Sequence, residues 1–197
     1  MNRECFQKQL AFILEADKEK NILRQTHISG HVRRENDAEH AWHMAMMVYL
    51  LREYANEKFD LAKAMMMALV HDVVEIDAGD TYAYDTKALE TQKEREEKAA
   101  DKIFGILPDD QRDELRTLFE EFEAGETPEA RFAKVMDNFQ SLILNGSNGG
   151  ADWREHQVTK SKIVGRQQTS RFGFENIWKY TEELINANVE RGNIIDE

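Results

Sequence analysis

The sequence predicts an all-α fold. Only two prolines occur in 197 residues. Apolar residues recur at helical spacing along most of the chain, and the alternation of β-branched residues that marks strands is scarce. A chain of this length fits one well-cored domain, taken as residues 1–197.

The elements follow in order. Phe6, Leu10, Ile13 and Leu14 fall at helical spacing, and Ile22 and Leu23 continue the pattern. Thr26 to Arg34 carries Gly30 and little periodicity, which predicts a loop. Asn36-Asp37-Ala38-Glu39 has the form of a capping box, with Asn36 as N-cap and Glu39 three residues on. A long helix follows through Ala41, Met44, Met47, Val48 and Leu51. The next is expected from near Asp60 to about Ala78, stopped by Gly79. Asp80 to Asp85 reads as a loop, and the charge alternation from about Thr86 to Phe104 reads as a helix. Pro108 suits the start of a helix to about Phe122. Thr127 as N-cap with Pro128 behind it starts another, to about Leu144. Asn145 to Asp152, rich in Gly, Asn and Ser, is expected to be a loop. One or two helices close the chain, with Ile177, Trp178, Tyr180 and Leu184 on one face.

Bulk properties narrow the function. The formal net charge is -12, from 26 Lys+Arg against 38 Asp+Glu. Nucleic-acid polymers and anionic membranes demand a basic surface, so neither is an expected partner. A small phosphorylated ligand needs only a local cluster of Arg or Lys. No apolar run approaches the roughly 20 residues that span a bilayer. The residues after Arg3 and Glu4 are amphipathic rather than those of a signal peptide. Cys5 is the only cysteine. A cytoplasmic location is the expectation from these features.

The chemistry concentrates around His71-Asp72, which sits inside the apolar run from Met65 to Val74. Burying a carboxylate without a partner is costly, and a divalent cation supplies a partner. Imidazole and carboxylate together suit Mn, Fe, Co, Ni or Zn. His40 and Asp137 supply the same ligand types from other helices. Spacing alone does not show that the three segments converge. On a continuous helix Glu75 shares a face with His71, and Asp80 follows Gly79 at the helix end. These acids repel one another unless a cation neutralises them or one holds a proton. His43 reads as structural, and His27, His31 and His156, in polar stretches, as exposed. Met44, Met46, Met47, Met65, Met66 and Met67 read as helix core. Trp42 reads either as a pocket wall stacking on a base or as core.

The pattern Asp37-Ala38-Glu39-His40, then His71-Asp72, then Asp137 resembles the HD-domain metal-dependent phosphohydrolases. The block His71-Asp72-Val73-Val74-Glu75-Ile76-Asp77-Ala78-Gly79-Asp80 is similar to the subgroup of bacterial 5′-deoxynucleotidases and their eukaryotic relatives. The resemblance spans roughly residues 10 to 190. It implies a helical bundle of the HD-domain type, often dimeric, so a homodimer is an expectation. It implies one divalent metal held by His40, His71, Asp72 and Asp137. Glu75 and Asp80 would serve the chemistry and substrate binding. An arginine upstream of the first metal histidine would contact the phosphate, with Arg24 the best match and Arg33 or Arg34 as alternatives. Lys134 is a further candidate for the phosphate charge.

The implied activity is hydrolysis of nucleoside 5′-monophosphates, deoxynucleotides in particular. Two alternatives remain at this point. One is hydrolysis of a cyclic or pyrophosphate nucleotide on the same metal core. The other is a non-catalytic, metal-stabilised sensor or binding module. No histidine lies between Asp72 and Asp137, so a second metal would rest on carboxylates alone.

Overall fold

The computed structural model describes residues 3–84 and 86–197. Asp85, the last residue of the loop expected after Gly79, lies outside the described residues. Among the described residues the fold is all-α, as the sequence predicts, apart from one small antiparallel hairpin.

Helix α1 spans Arg3–Ala16. Its stripe of Phe6, Leu10, Ile13 and Leu14 is exposed, and Phe12 instead packs toward the interior against Phe104. The helical continuation expected at Ile22-Leu23 does not form. A tight turn over Asp17–Asn21 leads into strand β1, Leu23–His27, which pairs with β2, Arg34–Asn36. The expected loop is therefore narrower than Thr26 to Arg34. These strands are short and polar, so they lack the apolar alternation that betrays a strand.

Asn36 caps α2, Asp37–Leu51, through the expected capping box: its side chain accepts from the Glu39 amide, and Glu39 accepts from the Asn36 amide. His40, Met44 and Val48 follow at four-residue spacing and are all fully buried. One face of α2 thus carries both core and chemistry. It packs on α3, Leu61–Val70, and α7, Pro128–Ser147. Met44, Val48, Ala64, Met67, Phe132 and Met136 form the centre of the main core. Met46 and Met66 turn outward at 40% exposure, so the methionine reading holds only in part.

The helix expected from Asp60 to Ala78 is broken. Asp60 caps α3, which ends at Val70. Tighter i→i+3 bonds then run from the Val73 amide to the Val70 carbonyl and from the Glu75 amide to the Asp72 carbonyl. A single-turn helix α4, Glu75–Ala78, follows and stops at Gly79, where φ is +76°, a conformation that favours glycine. Apolar periodicity does not register a switch from four-residue to three-residue bonding.

Helices α5, Thr86–Phe104, and α6, Asp109–Ala124, match their expected spans closely. They enclose a smaller core of Val74, Ala99, Ala100, Phe104 and Phe119. Thr127 caps α7 as expected. That helix runs three residues past Leu144, and α8, Ala151–Glu155, follows almost at once. The expected loop from Asn145 to Asp152 shrinks to a turn through Gly149 and Gly150, both at positive φ. A Cβ on Gly150 would also run into Asn193. Helices α9, Lys160–Gln167, and α10, Glu175–Glu190, complete the order.

Candidate metal centre and active site

Helices α2 and α7 and the turn after α3 bring four side chains to one point. Nε2 of His40 lies 3.1 Å from Oδ1 of Asp137 and 3.8 Å from Oδ2 of Asp72. Nε2 of His71 lies 3.1 Å from the same Asp72 oxygen. The local sequence explains the placement. His40 sits on the buried face of α2, and Asp137 follows the fully buried Ala130 and Ala133 on α7. His71 donates its last helical amide bond to Met67.

The donor set fits a divalent ion. The ring of His71 bonds the Ala68 carbonyl through Nδ1 at 3.0 Å. With Nδ1 the donor, the Nε2 lone pair faces the cluster. His40 Nε2 and His71 Nε2 are both buried without a hydrogen-bond partner. Unpaired buried imidazole nitrogens are costly, and two of them aimed at carboxylates suit a first-row cation. Behind His40, Oε2 of Glu35 lies 3.8 Å from Nδ1. Gln140 donates to Glu35 at 2.7 Å and meets Nδ1 of the half-buried His43 at 3.1 Å. Such outer partners fix ring orientation, and His43 takes the structural part expected of it.

Arg24, on β1, enters from the other side. Its Nη1 donates to Asp72 at 2.6 Å and to Asp37 at 3.3 Å, and its Nη2 lies 3.9 Å from Asp137. Burial opposes charge on this guanidinium, but Asp72, Glu75 and Asp137 more than offset it and raise its pKa. Glu75 is buried beside Asp72 and Asp37, with Oε2 unpartnered. Burial first, then the charges of Asp72 and Asp37, pushes its carboxyl up to about 11. Asp37 rises to about 7, through burial first and then the charge of Asp72. Asp72 behaves oppositely: burial works to raise it, yet His71 and Arg24 hold it well below the usual carboxylate range.

A cavity of about 240 Å³ opens onto His71, Asp72, Glu75, Asp80, Asp137 and Lys134. It shares Arg24, Asp80, Asn138 and Arg166 with an adjoining cleft that runs toward Tyr82, Asp152 and His156. Arg166, from α9, lies 3.8 Å from Asp137. Lys134 lies on the cavity wall, its Nζ over the Phe122 ring.

Two expected residues are elsewhere. Trp42 is 63% exposed and stacks on His43. It is neither core nor wall of the cavity, because the buried face of α2 belongs to His40 and Met44. Arg33 is exposed and clamped to Glu39 at 2.6 Å, so it does not reach the cavity. Among the histidines read as exposed, His31 is so, while His27 and His156 are half-buried. Asp37, Glu35 and Arg166 were not anticipated as site residues. Asp37 had a usable signal, since it precedes His40 by three residues on the same helix face. Arg166 had none, because its approach depends on how α9 docks.

Comparison with known proteins agrees with this geometry. The family described as HD domain matches residues 16–178. The chain belongs to the HD-domain family. Its relatives include the human 5′-deoxynucleotidase HDDC2, 30% identical over 176 residues that cover 89% of this chain and 83% of that protein. A 5′-deoxynucleotidase of Shewanella oneidensis is 32% identical over 106 residues, or 50% of this chain and 54% of that one. A crystal structure from Magnetospirillum magnetotacticum, described as a predicted metal-dependent phosphohydrolase, superposes with a TM-score of 0.90 at 42% identity. It covers 98% of this chain and 96% of that one. The HD-domain resemblance read from His40, His71-Asp72 and Asp137 thus holds across nearly the whole chain.

Proposed function

We propose that this HD-domain chain hydrolyses deoxynucleoside 5′-monophosphates to the nucleoside and phosphate, with His40, His71, Asp72 and Asp137 holding one divalent ion. The observation that carries the reading is the convergence of those four side chains with Arg24 beside one polar cavity, which His71, Asp72, Asp137 and Arg24 line and behind which His40 is buried. The names of the human and Shewanella relatives supply the substrate class. The ion, one of Mn, Co, Fe, Ni or Zn by the ligand types, would acidify a water and withdraw charge from a phosphoryl oxygen.

The remaining steps belong to the protein. Arg24 and Arg166 bring guanidinium charge to the phosphate oxygens, and Lys134 adds an ammonium from the cavity wall. In a chain of net charge -12, such local cations must supply the attraction for a dianionic substrate. Water attacks phosphorus in line, and the bond to the 5′-oxygen breaks. Glu75, whose carboxyl burial favours in its protonated form, hands a proton to the departing 5′-oxygen. Asp80, at the junction of the cavity and the cleft, orients the attacking water and accepts its proton.

Phosphate release from matched 5′- and 3′-deoxynucleotides, each with and without added cation, tests the reading. Release from the 5′ series alone, in the presence of cation, is expected. Equal release from both series, or release only from cyclic or pyrophosphate nucleotides, would replace it.

A further inference from the structure

The β1–β2 loop carries a cluster that the proposed reaction does not use. Nδ1 of His27 lies 2.7 Å from Oδ1 of Asp152, and Nε2 of His31 lies 2.9 Å from the same oxygen. The His27 amide donates to the other oxygen, Oδ2, at 3.0 Å. The two imidazoles stack with centroids 3.9 Å apart. All three candidate donor atoms fall within 4.8 Å of one another.

We propose that His27, His31 and Asp152 form a cation site separate from the His40/His71/Asp72/Asp137 centre, taking one zinc-type divalent ion. The ligand chemistry sets that class. Two imidazoles and a carboxylate suit zinc, cobalt or nickel, whereas calcium takes six or more oxygens and magnesium keeps most of its waters. Three protein ligands leave the fourth tetrahedral position to water. Ligand atoms around such an ion stand roughly 3.3 Å apart, from bond lengths of about 2.0–2.1 Å. The two separations from Asp152 Oδ1, 2.7 and 2.9 Å, need to open by only about half an ångström. Each neutral imidazole moves its proton to its other nitrogen, so that its lone pair faces the ion, and the number of protons on the ring is unchanged.

The loop is built to present these rings. His31 stands at φ +56°, behind Gly30 at φ +83°. That region disfavours a side chain with a Cβ. The cost is met where a residue is needed at that point. Asn148 holds the loop from below: its Nδ2 donates to the carbonyls of His27 and Ile28, and its Oδ1 accepts from the Gly30 amide. Asp152 comes from α8 and is 4% exposed. An ion here ties the far end of β1 to α8. Arg24 lies three residues earlier on the same strand, and Asp152 borders the cleft that adjoins the cavity. The ion would therefore stiffen the strand that delivers Arg24.

Equilibrium dialysis of the full chain against zinc, with bound zinc counted per chain, tests the site. His31→Asn suits the positive φ and removes one imidazole. Asp152→Asn keeps a side chain able to hydrogen-bond both rings and the His27 amide, but removes the anionic ligand. The expected result is a loss of one zinc per chain in each variant relative to wild type, with the remainder unchanged. Equal zinc in wild type and both variants would overturn the proposal and leave a hydrogen-bonded latch. Because the readout is stoichiometry, it does not depend on whether the chain hydrolyses nucleotides.

Discussion

The guanidinium of Arg24 lies 2.6 Å from Oδ2 of Asp72, the oxygen that also faces Nε2 of His71 at 3.1 Å. Arg24 is therefore anchored by a candidate metal ligand before any substrate arrives. An anchored cation needs no reorganisation to meet a phosphate, which is how a fixed charge favours a transition state. Arg24→Lys keeps the charge but loses the planar fork. It should lower kcat/KM for a 5′-monophosphate by about 10- to 100-fold, while bound metal per chain stays at the wild-type level. A kinetic profile equal to wild type would move the phosphate contact to Arg166 and Lys134.

Asp72 and Glu75 are three residues apart but have opposite electrostatics, and their variants should separate accordingly. Asp72→Ala removes a candidate ligand and should lose bound metal and turnover together. Glu75→Gln should keep the metal and lose turnover by about 100-fold or more, the usual scale of a lost general acid. Elemental analysis alongside phosphate release checks both. Equal metal loss in the two variants would make Glu75 a ligand.

Much of this site was legible in the sequence, for identifiable reasons. His40 and Asp137 each sit on a regular helix whose apolar spacing fixes the buried face, but the set of four candidate ligands came from the resemblance to HD-domain proteins, because spacing does not show that separate segments converge. Arg24 was named although its strand was not. Helical geometry failed at Glu75, where the bonding shortens after Val70 and the face shared with His71 no longer follows from spacing. Arg33 and Trp42 failed for a different reason. Trp42 is two residues after His40 on α2, about 200° around the helix, and faces solvent, whereas Arg33 lies in the β1–β2 loop and is held by Glu39. The cluster at His27, His31 and Asp152 joins residues more than a hundred positions apart, and no local pattern announces it.

Exposure gives a negative prediction. Trp42→Ala and Arg33→Ala should each change KM and kcat by less than about twofold, because surface changes away from a site seldom exceed roughly 0.5 kcal/mol. Steady-state kinetics on one 5′-deoxynucleotide would check it. A rise in KM in either variant would place that side chain at the substrate.

Glu19 links the site to pH. It is buried in the turn before β1. Burial, then repulsion from Asp72 and Asp37, pushes its carboxyl from 4.5 up to about 8. Between those values the folded chain holds a proton that the unfolded chain has released. The contribution of Glu19 is thus fully present below pH 4.5 and is lost as pH rises through about 8. In chelator, stability should fall across this window by up to roughly 1.4 kcal/mol per pH unit. Glu19→Gln should reduce that slope. Urea unfolding at several pH values measures it, and an unchanged slope in the variant would assign the effect to other groups.

On the proposed reading, hydrolysis requires an ion held by His40, His71, Asp72 and Asp137. The most direct measurement is the rate of phosphate release from a 5′-deoxynucleotide as cation is returned stepwise to chelator-stripped protein, in wild type and in Asp137→Asn. The expected result is no release from stripped protein, recovery in wild type as cation is restored, and no recovery in Asp137→Asn. Release that persists through chelation, or full recovery in the variant, would contradict it.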